Sequence, residues 1–385
     1  MAAFDVIVIG LGAMGSAAAD ALARQGLDVL GIDRFGPGHA LGSSHGRSRA
    51  IRYAAHEDPD YVPLLRRAYQ LWRDLERRAR EPILTVTGAL DLGRNTGSDL
   101  VEGTLRSARA FNLMHEALDR DEILRRFPMF DIPNSYCGIW QPDGGFLRPE
   151  AALRAYQRLA GEAGARLHFG ERVVGIEPQA DRIEVVTDES RYECGQVLVA
   201  AGAWVSKLVP DLMGIARPTR QVTGWFWPRD AHTFALGQLP VFAVDDGVMG
   251  TFHGIPAFEP GGVKIARHGH LGELIDPDGL RLPVNDRDIV ILRSFLARRL
   301  PHLDGEPLRT EGCVYTNLPD NHFLVDWLPN DSRILVASVC SGHGFKFASV
   351  MGEIIGELLV SGQTQHNISR FAFARLQPRT IRRSS

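Results

Sequence analysis

A chain of 385 residues with 44% hydrophobic content carries enough apolar material for more than one core, and its four cysteines, with no C-x-x-C pair, outline neither a disulfide framework nor a zinc site. Lys and Arg number 43 against 46 Asp and Glu, and the formal charge of -3 argues against a nucleic-acid binder. The opening Met1-Ala2-Ala3-Phe4 has no basic n-region, and Asp5 and Asp20 interrupt the one long apolar run, so the expectation is a soluble cytoplasmic protein without a membrane span.

The apolar run Asp5-Val6-Ile7-Val8-Ile9 predicts a strand, Gly10-Leu11-Gly12-Ala13-Met14-Gly15 a tight turn, and the alanine-rich stretch 16–25, closed by Gly26, a helix. That succession holds a dinucleotide pyrophosphate. Gly10 permits the turn, Gly12 lets backbone approach phosphate, and Gly15 lets the helix pack on the strand, while N–H groups at the helix start face the anion. A second strand over 28–33 ends on Asp33, 18 residues after Gly15, close to the spacing of the acid that takes a ribose hydroxyl.

A loop rich in Gly, Ser and His follows over 36–46, then an amphipathic helix over 61–80 with Tyr61, Leu64, Leu65, Ala68, Trp72 and Leu75 on one face. A strand is predicted over 85–92, and Pro149 opens a helix over 150–163. Further strands are predicted at 173–176, 183–186 and 196–204, the last a buried parallel strand ending in small residues. The stretch 219–300, punctuated by Asp246-Gly247, Pro260-Gly261-Gly262 and Asp276-Pro277-Asp278-Gly279, reads as an antiparallel sheet roofing a substrate site. The chain returns through a strand at 334–339, then Ser341-Gly342-His343-Gly344-Phe345-Lys346 and a helix ending near Gly362; the basic end 379–385 reads as a solvated tail.

The fold class is therefore α/β with mixed α+β character: a Rossmann-like nucleotide domain over 1–85, 149–218 and 305–385, and a substrate domain over 86–148 and 219–304. A nucleotide domain assembled from three pieces favours FAD over a nicotinamide cofactor by analogy of fold.

Several motifs, taken in order, resemble the monomeric sarcosine oxidase and N-methyltryptophan oxidase group of glycine-oxidase-like flavoenzymes, with pipecolate oxidase as a near relative. They are Gly10 to Gly15, Gly42-Ser43-Ser44-His45-Gly46-Arg47-Ser48-Arg49-Ala50-Ile51-Arg52, Ala201-Gly202-Ala203-Trp204, Arg220-Gln221-Val222, Cys313-Val314-Tyr315-Thr316 and Ser341 to Phe347. The resemblance implies a p-hydroxybenzoate-hydroxylase-like architecture and FAD carried on Cys313 through a thioether at the flavin 8α position. A thiolate is the nucleophilic form for such a bond. It also implies FAD contacts from Gly10, Gly12, Ala13, Met14, Gly15, Asp33, Arg34, Ser43, Ser44, His45, Ser48, Arg49, Val173, Ala201, Gly202, Trp204, Gly342, His343, Gly344, Phe345 and Lys346.

By the same resemblance Arg52 and Lys346 bind the substrate carboxylate, for which a guanidinium is the best geometric match. Arg49 lies near the flavin, and Lys264 promotes the reaction with O2, where a fixed ammonium favours the developing negative charge. His268 faces the amine, with His270 as a rival because the local spacing is one residue longer than usual, and Tyr315 and His253 line the substrate cavity. His253 stands where the sarcosine enzymes have tyrosine, Arg47-Ser48 departs from their Asp-Thr, and Trp225-Phe226-Trp227 is unusually aromatic. The implied activity is O2-dependent oxidation of a secondary amino acid to an imine, with hydrolysis and H2O2 release, by a monomer that holds no metal. The alternatives are a cyclic substrate such as L-pipecolate or L-proline, a flavin dehydrogenase with another acceptor, and an NAD-dependent or non-redox nucleotide binder.

Overall fold

The computed structural model describes residues 3–259, 261–279, 283–303 and 305–376. Pro260 of one expected turn and the basic end 379–385 lie outside the described residues. The chain divides into two compact units, one drawn from Met1–Ser44, Ala152–Pro218 and Tyr315–Ser385, the other from His45–Ala151 and Thr219–Val314.

The first unit is built on a mixed sheet. Strand β1 (Ala3–Ile9) pairs in parallel with β2 (Val29–Asp33) on one side and with the end of Arg191–Val199 on the other, and Asp331–Ser338 continues the parallel set. Helix α1 (Ala13–Ala23) packs against Ala348–Ser361, with small residues at the contact: a Cβ on Gly352 would lie 2.8 Å from Ala17 O. The later helix ends at Gly362 with φ 74°, as the sequence signal required. The expected strand 196–204 is corrected at both ends. It begins at Arg191, where an antiparallel hairpin with Ile183–Thr187 extends it, and it stops at Val199. Gly202, at φ 52°, then opens a 3-10 turn over Gly202–Trp204.

The second unit holds a three-stranded sheet and a larger mixed sheet. In the small sheet Gly145–Leu147 lies between Arg49–Ile51 and Leu84–Val86, which draws residues 45–86 into this unit. The single strand expected over 85–92 is two strands in different sheets, Leu84–Val86 and Ala89–Arg94. Gly88 is the break: φ is 75°, and a Cβ there would lie 1.7 Å from Trp140 Cη2.

The large sheet runs in the order Pro307–Asn317, Arg217–Phe226, Val263–Arg267, Thr251–Ile255, Val241–Asp245, Ala89–Arg94, Tyr136–Gln141, Glu116–Leu118. It is mixed rather than purely antiparallel, because Val241–Asp245 pairs in parallel with Ala89–Arg94. Alternation sends Val222, Phe226, Phe242, Val244, Phe252, Val263, Ile265, Leu90 and Leu92 into one apolar core. The helix Asp286–Arg299 covers that face through Leu292, Phe295 and Leu296, with the Phe252 and Phe295 rings stacked at 4.2 Å. This helix corrects the strand-rich expectation for 219–300. The β-branched run Ile289-Val290-Ile291 conceals it, whereas the Asn285–Asp288 capping box was its legible signal.

Asp288 also ties the helix to the sheet. Fully buried, it takes both Nη groups of Arg220 and, at 2.7 Å, His270 Nε2. Burial alone would raise its pKa, but Arg220, the Asn285 N–H and His270 outweigh burial and bring it to about 2. Its stabilising contribution is thus complete above the unfolded value near 3.9 and is lost as pH falls through about 2. Asp288→Asn should cost about 3 kcal/mol by removing the buried counter-charge of Arg220, which keeps only the half-exposed Glu273 at 3.0 Å, read as a lower melting temperature at neutral pH; an unchanged melting temperature would contradict this role.

Candidate active site

In the first unit the glycine turn has the shape its sequence demands. Gly10 has φ 94°, and a Cβ there would lie 2.6 Å from Ala200 O; a Cβ on Gly15 would lie 1.8 Å from Gly10 O. No side chain caps α1 at Gly12, and its first turn holds no acid, so its N-terminal end suits an anion. Ser44 Oγ accepts from the Ala13 N–H at 3.1 Å. Asp33 is buried, with Oδ2 accepting from Leu11 N–H at 2.7 Å and Oδ1 from Phe35 N–H at 2.9 Å, so it fixes the turn and the end of β2 together.

Arg34 lies 5.8 Å from the Trp204 ring, which packs against Phe35 at 5.4 Å. Met14 and Val173 are buried, Ala201 precedes the Gly202 turn, and Ser43 Oγ lies 4.0 Å from Cys340 Sγ. In the later segment Ser341 and Gly342 adopt φ of 39° and 78°, and His343 Nε2 pairs with Asn321 O at 3.0 Å. A Cβ on Gly344 would lie 2.1 Å from Val339 O, and Phe345–Phe347 forms a 3-10 turn with Lys346 buried. Tyr315 is two residues from Cys313 in the strand Pro307–Asn317 and shares its direction.

In the second unit the chemistry collects on the face of the large sheet opposite the apolar core. Register pairs Asp91 with Ala243, Ala243 with His253, His253 with Ala266, and Ala266 with Thr223. Lys264, two residues before Ala266, lies on the same face and pairs with Trp225, and His268 follows in the turn just after the strand ends at Arg267. Alanines between the functional side chains keep that row low.

The segment after Ser44 lies against this face. Gly46 at φ 94° and Arg47 at φ 65° make a turn whose N–H groups both donate to Glu150 Oε1, at 2.8 and 3.0 Å. Lys264 Nζ donates to Gly46 O at 2.7 Å and Ser48 O at 2.8 Å, beside the Trp225 ring at 5.5 Å. Burial, reinforced by Arg49, pushes the Lys264 pKa well below the ordinary lysine range.

Cys313 is buried in this group. Arg49 Nη2 lies 3.7 Å from its sulfur, and His45 Nδ1 lies 3.7 Å from Glu311 Oε2, which also pairs with Arg309. Burial raises the thiol pKa, but His45, Arg49 and Lys264 outweigh it and bring it down to about 7. Burial also works against charge on His45, yet Cys313 and Glu311 carry its pKa up to about 9. Cys194, buried without such neighbours, is pushed up to about 12. The cations beside Cys313 thus make it more acidic than an ordinary thiol.

Arg52 is buried, its Nε 3.3 Å from Asp91 Oδ2 and its Nη2 3.2 Å from His56 Nδ1. His253 stays neutral: burial first, then His268, Lys264, Arg49 and Arg52, lower its pKa to about 3. Of the rival histidines, His270 is engaged with Asp288 at φ 35°, whereas the field of His268 acts on His253. Sequence reasoning did not find Asp91, Glu150 or Glu311, whose contacts with Arg52, with the Gly46 and Arg47 N–H groups and with His45 join segments distant in the chain.

The residues of each unit, taken by itself, fit an FAD. In the first unit the glycine turn leaves backbone bare where a pyrophosphate approaches, and in the second the buried Ser48 hydroxyl has no hydrogen-bond partner among the described residues.

Residues 5–358 match a family described as FAD dependent oxidoreductase. The chain is 39% identical over 377 residues to monomeric sarcosine oxidase from Streptomyces avermitilis, covering 97% of this chain and 98% of the relative. It is 35% identical over 378 residues to N-methyl-L-tryptophan oxidase from Yersinia pestis, covering 97% and 100%. Among solved structures, NikD, an unusual amino acid oxidase essential for nikkomycin biosynthesis, superposes with a TM-score of 0.84 at 26% identity, covering 97% of each chain.

Proposed function

The chain belongs to the FAD dependent oxidoreductase family, and from that premise we propose that it oxidises secondary amino acids of the N-methyl, sarcosine-like class with O2. The observation that carries this reading is the cluster at one sheet face of an activated thiol, Cys313, the half-buried Arg49, the buried Arg52 and Lys264, and a neutral imidazole, His253. Bound FAD supplies a two-electron acceptor for the substrate C–N bond and a route for those electrons to O2, which leaves as H2O2.

Cys313 would hold the flavin through its sulfur, with His45 and Arg49 favouring the thiolate form. The glycine turn, Asp33 and Ser44 serve the adenylate end. Arg52 and Lys346 supply donors for the substrate carboxylate. A further cation is disfavoured beside Arg49, Arg52 and Lys264, so the amine binds in its neutral form near His268 and neutral His253. Tyr315 completes the substrate wall. Hydrolysis of the imine product then yields formaldehyde and the demethylated amino acid. Lys264 favours an oxidase over a dehydrogenase with another acceptor, because a fixed ammonium stabilises charge developing on O2.

His253, in place of a tyrosine, puts a smaller ring beside the amine, which keeps cyclic secondary amino acids such as L-pipecolate and L-proline in the comparison. The relatives named monomeric sarcosine oxidase support action as a single chain on a small molecule. No helix among the described residues is long and apolar enough to cross a membrane.

A peroxide-coupled assay across sarcosine, N-methyltryptophan, other N-methyl amino acids, L-pipecolate and L-proline tests the proposal. Stoichiometric peroxide from an N-methyl amino acid is expected. Turnover without peroxide, or with primary amino acids alone, would contradict it.

A further inference from the structure

Asp91 is fully buried in the strand Ala89–Arg94, and nothing in the sequence marks it for a role. Its neighbours Leu90 and Leu92 enter the apolar core, so alternation turns Asp91 to the chemical face. There its Oδ2 lies 3.3 Å from Arg52 Nε and accepts from Thr104 Oγ1 at 2.9 Å and Gln141 Nε2 at 3.4 Å. Gln141 is itself held by the Ala54 N–H on its Oε1 at 2.9 Å. Asp91 Oδ1 is buried with no hydrogen-bond partner, a costly arrangement for a carboxylate in the middle of a sheet.

Building on the reading of Arg52 as the substrate-carboxylate donor, we propose that Asp91 is its positioning residue, holding the Nε edge so that the end-on pair of Nη hydrogens meets the substrate. A guanidinium offers a rigid planar fork, and fixing one edge fixes the direction of the others. Asp91 Oδ2 faces Nε as an ion pair at 3.3 Å without hydrogen-bond alignment, so Asp91 acts on that edge through its charge and packing, while His56 Nδ1 meets Nη2 at 3.2 Å. Thr104, on the helix Asp99–Ala110, fixes the Asp91 carboxylate in turn.

Charge and orientation make opposite predictions here. Removing Asp91 makes the site more positive, which by charge alone tightens binding of a carboxylate; loss of positioning weakens it.

Acetate binding to the holoenzyme, read from the perturbation of the flavin spectrum, separates the two in Asp91→Val, Asp91→Asn and Arg52→Gln. In Asp91→Val, acetate affinity falls about tenfold and KM rises similarly, while kcat falls less than about threefold. Asp91→Asn, equally neutral but keeping the shape beside Arg52 and an oxygen for Thr104, stays within about threefold of the parent. Unchanged or tighter acetate binding in Asp91→Val overturns the proposal. If Asp91→Val does not fold, Thr104→Val replaces it, with weakening of about threefold expected and unchanged affinity again overturning the role. Unchanged acetate binding in Arg52→Gln removes instead the reading of Arg52 on which the proposal rests.

Discussion

Replacing Cys313 by Ser should leave a yellow protein that surrenders all its flavin to the supernatant on acid precipitation, whereas the parent carries its colour into the pellet. The expectation follows from the thiol's surroundings. Burial in an apolar site raises a cysteine pKa, as at Cys194, yet at Cys313 the cationic partners reverse that and bring it to about 7. A serine hydroxyl in the same place has no accessible anion and is far the weaker nucleophile. Non-covalent binding through the glycine turn should persist, because α1, Asp33 and Ser44 are untouched by the substitution. A yellow pellet from Cys313→Ser, or a colourless pellet from the parent, would remove Cys313 as the attachment point.

Lys264→Met is expected to slow reoxidation of the reduced enzyme by O2 by about 10²–10³-fold, the scale for losing one preorganised charged donor. Met has similar length and fills the volume but carries no charge. Lys264 sits on a rigid strand and is held by two carbonyls, so its charge is fixed before O2 arrives. Its lowered pKa adds a pH dependence: the ammonium is lost as pH rises, so the parent's oxygen rate should decline at a pH below the ordinary lysine value near 10.4. Stopped-flow mixing of reduced enzyme with aerated buffer measures both effects, and anaerobic reduction by substrate should change far less. Equal loss in the two half-reactions would make Lys264 a general structural support instead.

The nucleotide turn was legible because its requirements are local: glycines where a Cβ would strike Ala200 O or Gly10 O, and an acid at a set distance along one βαβ unit. The substrate-side chemistry was legible only as residue identities, through resemblance. Its organisation depends on strand register, which no local pattern discloses, and register is what aligns Asp91, His253 and Ala266 across three pairings. His270 shows the same limit. Spacing kept it as a rival to His268, but its bond to Asp288 depends on a helix that the β-branched run had hidden. The 85–92 strand failed for a different reason, since Gly88 was read as a strand residue although its positive φ ends one sheet and begins another.

The most direct test of the account is anaerobic titration of the purified yellow protein with an N-methyl amino acid. The account predicts that a stoichiometric amount bleaches the flavin's visible bands and that admitting air restores them with release of an equal amount of H2O2. Bands unmoved by every secondary amino acid, or a protein that remains colourless after incubation with FAD, would contradict it.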